Sequence, residues 1–223
     1  MKGAPPQTIA RSPHRRPVRV SREARRRQLL DAAGAVFVLR GYHGATMDEI
    51  AQRTGLSKPV LYQHFSGKLE LYLAVLADYV DLLVTGVREA VRLTTDNRER
   101  VHAAVRAHFD FVDHEAQGYR LVFGSDAISE PTVQRLVEGA FDACVDVVFT
   151  LIVKDSALGR HRSRMLAVGL VGLTQFTARD WLETNRPVPK EEVVGSIGDL
   201  CWRGLSQVPL SPSGRRPSEE IPR

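Results

Sequence analysis

What this 223-residue chain lacks narrows its chemistry before anything else is read. It has two cysteines, Cys144 and Cys201, set far apart in apolar or amphipathic surroundings and without a CxxC spacing. Reduced, buried thiols are expected there, not a disulfide or a metal site. No apolar run approaches the roughly 18–20 residues of a membrane span. The longest, Met165 to Leu173, contains two glycines and has Arg164 before it and Gln175 close behind. The N-terminus has no apolar stretch of the signal-peptide kind. There is no phosphate-cradling glycine loop, no GxSxG elbow and no ligand spacing for a metal. His102, His108 and His114 fall six apart, which puts successive rings about 120° from one another around a helix, so they do not converge on an ion. The expectation is a soluble, cytoplasmic protein that is not an enzyme and carries no cofactor.

What the chain has is a usable core and a charge gradient. A hydrophobic fraction of 43% is enough to fold most of its length. The net charge of +5 is uneven, because residues 1–27 hold nine Lys or Arg against one Glu. That end is therefore +8 and the remainder −3. Basicity gathered at one end points to a polyanion partner there, although a solvated tail has the same composition.

The pattern along the chain is helical throughout, so the fold class is all-α. Residues 1–20, rich in Pro and Arg and without apolar periodicity, are expected to be a disordered basic tail, as is the Pro-, Ser- and Arg-rich stretch 209–223. Between them the chain divides into a head at 21–67 and a larger body at 68–208. Leu29, Ala33, Val36 and Phe37 form an apolar stripe that stops at Gly41. After Gly67, Leu69, Tyr72, Leu73, Leu76, Val80, Leu83 and Val87 recur at three- and four-residue intervals, which predicts a helix long enough to leave the head. Further helices are predicted over 97–114, capped by Asp96 or Asn97, over 117–125, from Glu130-Pro131 through Ile152, and over 160–184 and 190–207. The last two are separated by Pro187-Val188-Pro189. Alternating strand patterns and internal repeats are absent.

The most informative segment is 46–68, TMDEIAQRTGLSKPVLYQHFSGK. Thr46 is placed to cap a short helix carrying Met47, Ile50 and Ala51. Gly55 sits where the turn between two helices needs a positive φ. Ser57 is a plausible N-cap for the second helix, with Pro59 near its start. Val60, Leu61 and Phe65 point back to the first helix, leaving Lys58, Tyr62, Gln63 and His64 outward. A short, polar and basic face of this kind suits a helix laid in a DNA major groove.

The basic first helix, the run GYHGATMDEIAQRTGLSKPVLYQHFSGKLELY and the helical remainder resemble the TetR family of bacterial transcriptional regulators. The resemblance is dense over residues 22–76. Within the family, TTDNRERVHAAV, HEAQGYRLVF, SRMLAVGLVGL and GLSQVPL are similar to actinobacterial regulators of fatty-acid synthesis. The resemblance implies roles for individual residues. Thr46, Tyr62, His64 and Lys68 would hold phosphates, while Lys58 would touch a base edge or phosphate. Gln63 would read a base edge, and Pro59 and Val60 a thymine methyl; Ser57 joins them at the helix start. Each of these residues taken alone is better explained as surface or core. Arg22, Arg25, Arg26 and Arg27 are candidates for neutralising further phosphates.

In the body, Phe109, Phe123, Phe141, Phe149, Leu166, Leu170 and Phe176, with Val105 and Val145, supply apolar bulk at helical spacings. Ordinary core explains any one of them. The resemblance implies that some line a pocket, and its narrower form implies a tunnel for a long-chain acyl-CoA effector. Arg106, Arg120 and Arg179 are candidates for the polar end of such a ligand. Gly169, Gly172, Gly195, Gly198 and Gly204 interrupt the last two helices at roughly 1 kcal/mol each relative to alanine. Close helix approach would offset that cost. The resemblance implies a homodimer through these helices, with Trp181 and Trp202 as apolar anchors and an inverted-repeat, double-stranded operator as partner. A TetR-type repressor of an efflux or catabolic gene, responding to another hydrophobe, remains an alternative. So do an acyl-CoA-handling enzyme with a DNA-binding head and an architectural DNA protein.

Overall fold

The computed structural model describes residues 22–124, 129–156 and 158–203. The basic tail, the C-terminal tail and Gly204 lie outside the described residues, as do the side chains of Arg22 and Arg25. The described residues form helices α1 (Arg22–Gly44), α2 (Met47–Thr54), α3 (Lys58–His64), α4 (Lys68–Ala90), α5 (Asn97–His114), α6 (Ala116–Phe123), α7 (Pro131–Asp155), α8 (Arg160–Glu183) and α9 (Lys190–Arg203). None is long and apolar enough to cross a membrane.

In α1, Leu30, Ala33, Val36 and Phe37 are buried. The predicted stop at Gly41 appears as a break in helical geometry, at φ 70 and ψ 169, after which one more turn runs to Gly44. Thr46 caps α2, its hydroxyl oxygen accepting from Glu49 N–H at 3.2 Å. Gly55 ends α2 in the left-handed region, at φ 69, where a side chain would be strained. Ser57 occupies the N-cap position of α3, but its side chain makes no capping bond. Ile50, Leu61 and Phe65 close the head against α1. This three-helix arrangement leaves one flank of α3 without cover.

The body is built around α4, which packs on α1 in the head and on α5, α6 and α7 beyond it. Over its 23 residues it spans about 33 Å. Asp96 caps α5, accepting from Glu99 N–H at 2.8 Å. Further packing joins α7 to α8 and α5 to both α8 and α9. The α8–α9 connection turns through Asn185 (φ 62) and Arg186 (φ 57). Trp181 donates its indole N–H to Val188 O at 2.7 Å, while Arg186 and Lys190 both reach the Asp113 carboxylate on α5.

Several expectations are corrected by this packing. Trp181 is buried and its ring meets Phe109 edge-on at 5.6 Å, so it is an intrachain anchor and no exposed surface for a second copy. Gly198 is needed inside the chain: a Cβ there would lie 2.3 Å from His102 Nδ1, so the close approach is of α9 to α5. At Gly169, Gly172 and Gly195, by contrast, a Cβ would meet nothing within 4 Å.

Candidate DNA-reading face and apolar cavity

On α3, Lys58, Pro59, Tyr62, Gln63 and His64 are all exposed, Val60 is half-buried, and Leu61 is fully enclosed. Pro59 has no backbone N–H to lose at the first turn, so the helix starts there without penalty. Ser57 and Thr46 are also exposed. The predicted outward set thus lies on solvent-facing backbone of a short, rigidly seated helix. Two of the cations expected at DNA, Lys58 on α3 and Lys68 on α4, are already engaged. Lys58 Nζ lies 2.7 Å from Asp48 Oδ1. Hydrogen bonding to Asp48, then its charge, raises the lysine pKa. Lys68, expected only as a phosphate anchor, donates to His43 O at 3.1 Å and Ala45 O at 3.0 Å and stands 4.7 Å over the Tyr42 ring. It clasps the start of α4 to the α1–α2 connection. Tyr42 in turn stacks with Phe37 at 6.4 Å and meets Tyr72 at a tilt at 4.9 Å, which carries the clasp into the core. Of the basic first helix, Arg26 and Arg27 are exposed, and Arg27 Nε pairs with Asp78 on α4 at 3.4 Å.

The body holds a cavity of about 310 Å³ walled by α4, α5, α7, α8 and α9. Val105 and Leu170, both predicted, line it. The other predicted residues do not, and the reason is rotational. Helix α7 carries two adjacent apolar rows. Phe141, Val145 and Phe149 form one, and Cys144, Val148, Leu151 and Ile152 form the other; only the second faces the cavity. Periodicity marks both rows as apolar and cannot say which one meets empty space. On α5, Phe109 is fully buried against Trp181, and its neighbour His108 lines the cavity instead. Leu166 and Phe176, 50% and 69% exposed, face out from α8. Phe123 lines a separate cavity of about 500 Å³ between α1, α6 and α8, together with Arg120 and Arg179. Arg106, the third candidate cation, lines neither cavity and pairs with Glu191. At the first cavity the cation is Arg100, missed in the sequence; it donates to Thr94 O and Asn97 Oδ1 near the start of α5.

The cavity is mostly apolar, and apart from Arg100 burial disfavours charge on its titratable side chains. Burial pushes the His108 imidazole down to about 4 and the Cys144 thiol up to about 11. Burial likewise raises Cys201. Such thiols are weak nucleophiles. Among the described residues no group of His, Cys, Asp and Glu is placed to hold a metal.

Comparison with known proteins agrees with this architecture. The family model described as "Bacterial regulatory proteins, tetR family" matches residues 29–75, and that described as "Tetracyclin repressor-like, C-terminal domain" matches residues 97–204. The chain is 58% identical over 200 residues to the HTH-type transcriptional activator FasR of Mycolicibacterium smegmatis, covering 90% of this chain and 91% of that one. Among solved structures, a TetR-like transcriptional regulator from Rhodococcus sp. RHA1 superposes with a TM-score of 0.68 at 26% identity, covering 85% of this chain and all of that one. The regulator FadR from Bacillus subtilis, in complex with stearoyl-CoA, superposes with a TM-score of 0.64 at 16% identity, covering 81% and 99%, a likeness of fold. The narrower resemblance read from the body segments is thereby borne out at the level of the whole chain. With a helix-turn-helix head and an all-helical body, the chain is a transcriptional regulator and not an enzyme, and it belongs to the TetR family.

Proposed function

We propose that this chain is a homodimeric activator of fatty-acid synthesis genes, whose hold on an inverted-repeat operator is released by long-chain acyl-CoA. The observation that carries the reading is the course of α4. One end holds Lys68 in the head clasp, and the other supplies Val87 at the cavity wall, with Val91 one residue beyond. A ligand that parts the cavity walls therefore acts on the helix that seats the head. At about 310 Å³ the cavity stands at the lower limit of ligand pockets, roughly 300–1,000 Å³, so a long chain enters only by displacing its lining. Each buried methylene contributes up to about 0.8 kcal/mol, which favours long chains over short ones. Ligand and DNA then prefer different conformers, and each weakens the other's binding by the same factor.

At the DNA, α3 would lie in the major groove. Lys58 and Gln63 would reach base edges or phosphate, and Pro59 and Val60 a thymine methyl. Thr46, Ser57, Tyr62 and His64 would hold the backbone. Lys68 has one N–H beyond its two carbonyl bonds to give to a phosphate. Pairing of two chains through α8 and α9 accounts for exposed Met165, Leu166, Val168 and Phe176 beside open glycines. The activator sense rests on similarity to FasR, and an acyl-CoA ligand suits a fold that holds stearoyl-CoA in FadR.

A gel-shift assay on the chain's own promoter, with a series of acyl-CoA lengths, tests the proposal. Release that strengthens with chain length supports it. Release indifferent to length, or brought about only by unrelated hydrophobes, would favour a repressor of efflux or catabolic genes.

A further inference from the structure

His108 is the anomaly of the cavity. The other polar side chains that line it with unspent bonding capacity, Asn97, Ser156 and Trp202, are exposed, the first two beside Arg100 at the α5 start and α7 end. Thr174 is buried, but its hydroxyl donates to Leu170 O at 2.9 Å. His108 lies eleven residues beyond Asn97 along α5, about 16 Å deeper. Its ring is 4% exposed, and its Nε2 has no hydrogen-bond partner among the described residues. Val105 on its own helix, Cys144 and Val148 on α7, and Val171 on α8 share the lining with it. A buried polar nitrogen without a partner costs about 1–3 kcal/mol, and native interiors rarely leave one so. Among the described residues no carboxylate or other charged side chain lines the cavity near it, and none relieves that cost.

We propose that His108 is a specificity determinant of the effector cavity, hydrogen-bonding an oxygen carried part-way along a lipid chain, so that the preferred ligand is a hydroxylated or oxo-substituted acyl chain. This rests on the reading of the cavity as an acyl site and sharpens it. Nε2 is already buried, so a plain alkyl chain threaded past His108 leaves it without a partner, whereas a chain with an oxygen at the matching depth supplies one. A neutral imidazole presents one donor and one acceptor, so it accepts a hydroxyl proton or donates to a carbonyl. Shape alone discriminates weakly along a methylene chain; one buried hydrogen bond discriminates by position.

The test is direct binding of stearoyl-CoA and positional isomers of hydroxystearoyl-CoA to the full chain, followed by calorimetry, with wild type, His108→Phe and His108→Gln. In wild type, one hydroxyl position should bind about five- to tenfold tighter than stearoyl-CoA. His108→Phe should flatten that profile, and His108→Gln should keep an optimum, since a glutamine amide both donates and accepts. The wild-type profile needs no variant to fold. A flat profile in wild type, or an optimum that persists in His108→Phe, overturns the role of His108 while leaving the acyl site standing. If neither stearoyl-CoA nor any isomer binds wild type, the acyl reading falls and this inference with it.

Discussion

Lys58, on the exposed face of α3, is held 2.7 Å from Asp48 on α2, so the cation proposed to meet DNA is partly neutralised within the head. Both side chains are more than half exposed, and solvent screens the pair. Binding a phosphate or a guanine edge requires Lys58 to exchange this partner for another.

Asp48→Ala removes the competitor. Operator affinity should rise about two- to fivefold, and the dependence of binding on salt should steepen, because one more cation is free to displace counterions. Fluorescence anisotropy across a salt series reads both effects. An unchanged affinity and slope would place Lys58 outside the interface.

A second prediction concerns the seating of α6. A Cβ at Gly118 would stand 2.1 Å from Cδ1 of the Tyr79 ring, an atom close to the ring's root that cannot swing away cheaply. Gly118→Ala should therefore cost about 1–3 kcal/mol in stability, seen as a lowered Tm. In a Tyr79→Ala background, itself destabilised by the lost ring, the added cost of Gly118→Ala should shrink. Gly172→Ala, where nothing lies within 4 Å, should leave the fold of the single chain intact.

The exposed apolar face of α8 can be tested through Phe176, which is 69% exposed. Phe176→Glu should leave helical content unchanged, shift the chain from dimer to monomer in sedimentation, and lower operator affinity by at least tenfold as paired half-site binding is lost. A mutant that stays dimeric would move the interface elsewhere.

His108 also makes stability depend on pH. Its folded pKa is depressed to about 4 from an ordinary 6.5, so between these values the unfolded chain binds the extra proton. Stability should be full above about pH 6.5 and fall as pH drops towards 4, by on the order of 3 kcal/mol from this group. Urea unfolding at pH 7.5 and 5 should show the loss in wild type. His108→Gln should show less of it.

The legibility of the chain was uneven, for reasons visible in single residues. Thr46 and Gly55 could be placed, and the α5 cap narrowed to Asp96 or Asn97, because capping and left-handed turns are decided by a residue and its near neighbours. Lys68 was expected to hold a phosphate but not to act as a clasp, since its carbonyl partners lie 23 and 25 residues earlier. Phe141, Val145 and Phe149 were named as pocket candidates but lie on the row of α7 beside the one that lines the cavity, and Trp181, named as an interface anchor, is buried against Phe109.

By itself, then, the amino-acid order determined the all-helical class, the helix-turn-helix head and its outward residues, because each depends on period, caps and local turns. Only the tertiary structure decided that Val105, His108 and Leu170 face empty space while Phe109 faces Trp181. Hydrophobic periodicity states that a helix row leaves water; which neighbour meets that row depends on how five helices are turned against one another, and that is a property of their packing.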